Sequence, residues 1–243
     1  MDDVTTIYDA CINTTKLFEG ADYDTITGNF DGQGMSFGVM QFNLKSETFK
    51  NYILAFCNPL SYDYFPVPIV PLFNLNGSDA VLWAKSIMLT DTGKVKPEWV
   101  TAWKRFLTQP DVINLQKNAC GKYIHRAKEL CGRFGFDQKN MMHMAYFYDC
   151  AVQVWSMDIG DYYFTKDQAS NILTMYGTDN MNLWIQFNTT KEQQELVTIA
   201  HLRALKCKPE WKAAFFNRKA TIALGVGIVN RQKFDFRKVI KGY

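Results

Sequence analysis

Along the first eighteen residues, Val4, Ile7, Tyr8, Cys11 and Phe18 recur at helical spacing and describe one apolar stripe. Gly20 stands where a helix closes in a left-handed turn, which leaves Glu19 at the helix end. The period then changes. Thr25, Ile26 and Thr27 have strand character, and Gly28, Gly32, Gly34 and Gly38 punctuate a run suited to a hairpin. Helical stripes resume after Ser46 with Phe49, Tyr52, Ile53 and Phe56, over 79–89, and from Pro97 through Trp99, Trp103 and Leu107. A single longer helix is predicted from Pro110, with Val112, Ala119, Tyr123, Ala127 and Leu130 inward, ending at Gly132 and Gly135. The stretch 138–157 carries Met141, Met144, Ala145, Tyr148, Val152 and Trp155, an apolar face wide enough for a central helix. Shorter helices follow over 165–175, from 188–190 to 205, and from Pro209 through Trp211, Phe215 and Phe216. After Ala223 the chain turns to glycine-spaced extended structure.

These elements predict an α+β fold, predominantly helical, two-lobed, with a small N-terminal β-hairpin or sheet and a central apolar helix. The 243 residues are read as one domain, 1–243, with no separate binding module. Between Asn58 and Pro71 four prolines and Tyr62, Tyr64 and Phe65 make an extended aromatic loop, either a cleft wall or a core cover.

Composition removes several classes. No apolar run approaches a membrane span, and Met1-Asp2-Asp3 starts with neither the basic nor the apolar region of a secretory signal, so none is expected. The cysteines at 11, 57, 120, 131, 150 and 207 include no Cys-x-x-Cys pair or zinc spacing, so buried free thiols are expected. His125, His143 and His201 are isolated, and neither a metal nor a cofactor is called for. Basic residues do not interleave with aromatics as a nucleic-acid platform requires. The formal net charge is only +3, yet it is unevenly spread. Seven acidic side chains fall in residues 1–35 against Lys16, and eleven basic ones in 203–241 against Glu210 and Asp235. Such a basic segment suits an anionic polymer, or else forms an ordinary solvated face.

The chemistry centres on carboxylates. A glutamate at a helix C-terminus faces the negative end of the helix dipole, an arrangement that favours the protonated, proton-donating form. Asp31, between Gly28 and Gly32, would be held out by a turn, with Asp22 and Asp24 as alternatives. Two carboxylates on two rigid elements are what glycoside hydrolysis needs. Asp149 lies within an apolar helical run, where a charge demands a buried partner or a cleft position.

The Phe18-Glu19-Gly20 step into a glycine-rich hairpin resembles the lysozyme-like superfamily, in particular the phage lysozymes. The run Asp31-Gly-Gln-Gly-Met-Ser36-Phe-Gly-Val-Met-Gln-Phe42 is similar to the chitosanase segment D-G-R-G-Y-T-A-G-I-I-G-F, and Met144-Ala-Tyr-Phe-Tyr-Asp149-Cys-Ala-Val resembles a chitosanase helix containing A-Y-Y-D-A-I-V. The resemblance covers about residues 10–45 and 143–155, and the Glu-to-Asp spacing is shorter than in chitosanases, a trimmed hairpin. It implies Glu19 as general acid, Asp31 as the water-activating carboxylate and Ser36 in place of a water-orienting threonine. Gln41, Asn43 and Tyr148 are the candidate substrate-binding residues of the cleft.

The expected function is therefore a peptidoglycan-degrading, lysozyme-like glycoside hydrolase, inverting by its chitosanase resemblance. Its expected partner is bacterial cell-wall glycan, with no nucleic acid and no membrane span. An endolysin released through a holin, or a lysin carried in a phage particle, fits a chain made in the cytoplasm without a leader. A chitosanase-like hydrolase and a non-catalytic module of a phage particle are the alternatives.

Overall fold

In the computed structural model the described residues are 2–28, 32, 34–45, 64–66, 75, 77–159, 171–172, 175, 180, 184, 189–238 and 240. The helix expected after Ser46, most of the one expected over 165–175 (171, 172 and 175 are described, and helical), and most of the aromatic loop lie outside them. Among the described residues the fold is mainly helical with small antiparallel sheets, an α+β architecture. The chain divides into two compact units, 1–18 with 122–243, and 19–121.

The unit 19–121 contains a three-stranded antiparallel sheet, β1 (Ile26–Thr27), β2 (Ser36–Phe37) and β3 (Phe42–Asn43). Its helices are α2 (Gly77–Ser86), α3 (Pro97–Leu107) and α4 (Pro110–Ala119). Proline occupies the first turn of both α3 and α4, where a missing N–H removes no helical bond. Helix α3 buries Trp99, Ala102, Trp103, Phe106 and Leu107 at three- and four-residue spacing. Trp103 meets Phe37 of β2 at 4.5 Å between ring centroids and Phe65 at 4.6 Å. Phe65 is thus a core residue, and each such buried aromatic contributes roughly 1.5–3 kcal/mol.

The other unit contains α1 (Asp2–Glu19) up to Phe18, then α5 (Gly121–Arg133), α6 (Met141–Val154), α7 (Lys191–Ala204) and α8 (Pro209–Leu224). A hairpin of β4 (Val226–Val229) and β5 (Gln232–Asp235) follows, where glycine-spaced extended chain is expected. Its two-residue turn, Asn230 and Arg231, has φ of 51° and 66°, the left-handed sense that matches strand twist in tight hairpins. Asn180 and Trp184 hydrogen-bond β4 from the side, the Asn180 amide with Ile228 N–H and C=O, and Trp184 Nε1 donating to Val226 C=O at 2.9 Å.

Helix α6 is the buried one, with every residue from Met142 to Ala151 inside. The Asn140 side chain caps its start by accepting from the N–H groups of Met142 and His143, and Trp155 leaves it at φ 55°. Its neighbour α7 begins in a capping box between Thr190 and Gln193. One element differs from the sequence pattern. The single helix expected from Pro110 is two, α4 and α5, because the Cys120 N–H is shared between the Gln116 and Lys117 carbonyls and tightens the last turn of α4. Among the described cysteines, 11, 120, 131 and 150 are buried free thiols and Cys207 is half-buried. Burial pushes the Cys131 and Cys150 thiols up to about 12 and keeps them protonated.

Candidate active site

Glu19 is the last residue of α1 and is exposed. Gly20 follows with φ 60°, so the chain leaves the helix through the left-handed turn that only glycine adopts without strain. Glu19 belongs to the same compact unit as the three-stranded sheet. Asp22 accepts from the N–H of Tyr23 at 2.7 Å, and Thr25 N–H donates to the Asp22 carbonyl, which closes the turn leading into β1.

The sheet register sorts side chains into two rows. Thr27 pairs with Ser36, and Ser36 with Asn43; Ile26 pairs with Phe37, and Phe37 with Phe42. Because paired residues share a face and successive residues alternate, Thr27, Ser36 and Asn43 form one polar row and Ile26, Phe37 and Phe42 one apolar row. Phe37 and Phe42 are buried, while Thr27, Ser36 and Asn43 are half-exposed. Gln41 sits in the β2–β3 turn at φ 50°, and its Oε1 accepts from the Thr27 hydroxyl at 3.0 Å. Ser36, Gln41 and Asn43, expected at the site from sequence, are thus brought together on one polar face. Thr27 joins them; its alternation with Ile26 was the only sequence signal for it.

Gln116 of α4 fixes the turn. It is fully buried, accepts from Val39 N–H at 3.2 Å, and donates to the Tyr23 carbonyl at 3.1 Å and the Leu107 carbonyl at 3.4 Å. Its amide lies so close to Gly38 that a Cβ there would fall 1.9 Å from Oε1, and Gly38 has φ 69°. One buried amide therefore ties β1's lead-in and the β2–β3 turn to two helices. Nothing in the hydrophobic pattern marks Gln116, because a buried amide reads in sequence as an ordinary surface position.

The remaining carboxylates have separate fates. Asp24 pairs with Lys104 at 3.3 Å, both partly exposed. Asp31 lies outside the described residues. Tyr148, expected along the cleft, has no exposed surface and meets Tyr123 edge-on at 6.3 Å. It is a core side chain of α6, because its helix is inside all round. Asp149 is also wholly buried. It accepts from Thr15 Oγ1 at 2.9 Å, from Arg218 Nε at 2.9 Å and NH2 at 2.7 Å, and from the Lys219 ammonium, which also donates to Gln153 Oε1 at 2.7 Å. Burial alone would raise its pKa, but the two cations outweigh that and hold the carboxyl well below the usual range. Burial lowers the Lys219 pKa against the attraction of Asp149. The expected buried partner is thus Arg218 with Lys219, and two basic residues of the 203–241 segment are interior rather than solvated.

Among the described residues no group of three or more His, Cys, Asp or Glu is placed to hold a metal, and no helix is long and apolar enough to cross a membrane. Comparison with protein-family models, curated proteins and solved structures finds no match to this chain.

Proposed function

We propose that this chain is a glycoside hydrolase of lysozyme-like architecture that cleaves β-1,4-linked amino-sugar glycan of the bacterial cell wall. The observation that carries the reading is Glu19, exposed at the end of α1 in the same compact unit as the polar row Thr27–Ser36–Asn43. A helix-end carboxylic acid protonates the glycosidic oxygen, and hydroxyl and amide groups on a rigid strand face orient water and sugar hydroxyls. Asp31 is proposed as the carboxylate that activates water, from its place in the hairpin sequence. Asp24 is the weaker choice for that role because Lys104 engages it.

The test is digestion of purified sacculi by the full-length chain, following new reducing ends and identifying the products by mass spectrometry. Release of disaccharide-repeat fragments supports the proposal. Intact sacculi, or cleavage confined to peptide bonds, would overturn it. Cleavage of chitosan with sacculi untouched would keep the reaction and change the substrate.

A further inference from the structure

The 122–243 segment and α1 together enclose a pocket of about 460 Å³ that the proposed hydrolysis does not use. Its walls come from the end of α7 and the loop after it, α8 as far as Arg218, the β4–β5 turn, Phe18 of α1, and Gln153 and Val154 of α6. Among the described residues lining it, Arg203, Lys206, Lys208 and Arg218 are cationic and none is acidic. Phe18, Trp211 and Phe215 supply aromatic faces.

The two arginines are held in place. Arg203 stands over the Phe215 ring at 5.7 Å and donates Nε to the Ser156 carbonyl at 3.3 Å. Arg218 stands over Phe18 at 4.7 Å and is gripped by Asp149. Guanidinium groups fixed in this way lose little freedom on meeting an anion. Lys206 and Lys208 are exposed and complete the positive rim. Lys208 is also the N-cap of α8, whose positive dipole end therefore opens at the same pocket. Trp211, in the first turn of α8, is 61 % exposed, so its indole face is open to solvent at the pocket.

We propose that this pocket binds a phosphorylated sugar, its phosphate held by Arg203, Lys206 and Lys208 and its ring stacked on Trp211. With Arg218 already paired to Asp149, the three remaining cations, Arg203, Lys206 and Lys208, face no lining carboxylate and suit a multiply charged anion, and a phosphate is the common one that meets guanidinium in a bidentate way. An indole face suits the C–H face of a pyranose, and the Asn230 side chain in the wall offers an amide to sugar hydroxyls. The choice of a sugar over a nucleobase rests on the glycan reading above; the pocket itself does not.

Calorimetric titration of the full chain with N-acetylglucosamine 6-phosphate, N-acetylglucosamine, inorganic phosphate and AMP tests this. The sugar phosphate is expected to bind, with the neutral sugar and inorganic phosphate each weaker by about tenfold or more, since each lacks one of the two contacts. Trp211→Ala, and Lys206→Glu combined with Lys208→Glu, are each expected to weaken it by about tenfold or more without shifting the unfolding temperature, because all three side chains are exposed. Cys207, half-buried in the wall, supplies a second readout. The sugar phosphate should slow its alkylation, mapped by peptide mass spectrometry. Equal affinity for inorganic phosphate and sugar phosphate would reduce the pocket to a bare anion patch, and tighter AMP binding would replace the sugar by a base. Absence of binding by any probe would overturn the site. None of these readouts involves turnover, so a failed titration leaves the sacculus assay standing, and the reverse.

Discussion

Glu19 and Asp149 are two carboxylates on apolar helical stripes, and the fold treats them in opposite ways. Glu19 ends its helix in water beside a left-handed glycine. Asp149 lies mid-helix with no exposed surface, taking hydrogen bonds from Thr15, Arg218 and Lys219. Desolvation decides the difference. A wholly buried carboxylate survives only when cations and hydroxyls replace its lost water, and it is then committed to those partners. An exposed one, as Glu19 is, stays within reach of a substrate. Position relative to the core, rather than residue type, separates the structural acid from the catalytic candidate.

The largest effect that would sharpen this contrast is on rate. Glu19→Gln is expected to keep the fold and lower sacculus hydrolysis by on the order of 10²–10⁴-fold, the usual contribution of a general acid. A mutant holding half the wild-type rate at an unchanged unfolding temperature would remove Glu19 from the mechanism.

Asp149→Asn should act on stability instead. Removing one member of a buried charge cluster leaves its partners unpaired, and about 3–5 kcal/mol of unfolding free energy is expected to go, read from urea denaturation. The same site predicts a pH signature. The folded carboxyl titrates below its unfolded value of about 3.9, so its stabilisation is complete above that pH and is lost as pH falls through the acid range toward the folded value. Wild-type unfolding temperature should therefore drop below about pH 4 more steeply than that of Asp149→Asn. Parallel curves for the two proteins would mean that Asp149 is not the group responsible.

A smaller effect tests the support of the polar sheet face. Gly38→Ala places a methyl against the Gln116 amide at a left-handed φ, and a loss of about 1–3 kcal/mol is expected. Adding Gln116→Ala should relieve the clash, so the double mutant loses less than the sum of the single changes. Strict additivity would show that the two do not meet. Smallest is the cap of α7. Thr190→Ala should cost about 1 kcal/mol in thermal unfolding with hydrolysis unchanged, which sets the scale for one exposed hydrogen-bonded cap.

The sequence by itself determined where several elements start and stop. Prolines at the starts of α3, α4 and α8, Thr190 ahead of α7 and Gly20 after α1 are local signals, because first-turn geometry and left-handed turns depend on a few adjacent residues. Its alternation also determined that Thr25–Thr27 is extended and that Asp149 needs partners. Only the tertiary structure decided which partners and which faces. The pairing of Ser36 with Thr27 and Asn43 follows from strand register, set by a turn that Gln116 holds from 77 residues away. Sequence alone put Tyr148 along the cleft and left Asp149 between a buried partner and a cleft position; the enclosure of α6, which depends on neighbours far along the chain, made both interior. Likewise the basic segment divided between Arg218 and Lys219, drawn inward by Asp149, and Lys206 and Lys208, left in water. Charge pattern along a chain records how many cations there are, but the balance of desolvation against pairing, which assigns each to the interior or to the surface, exists only once the helices pack.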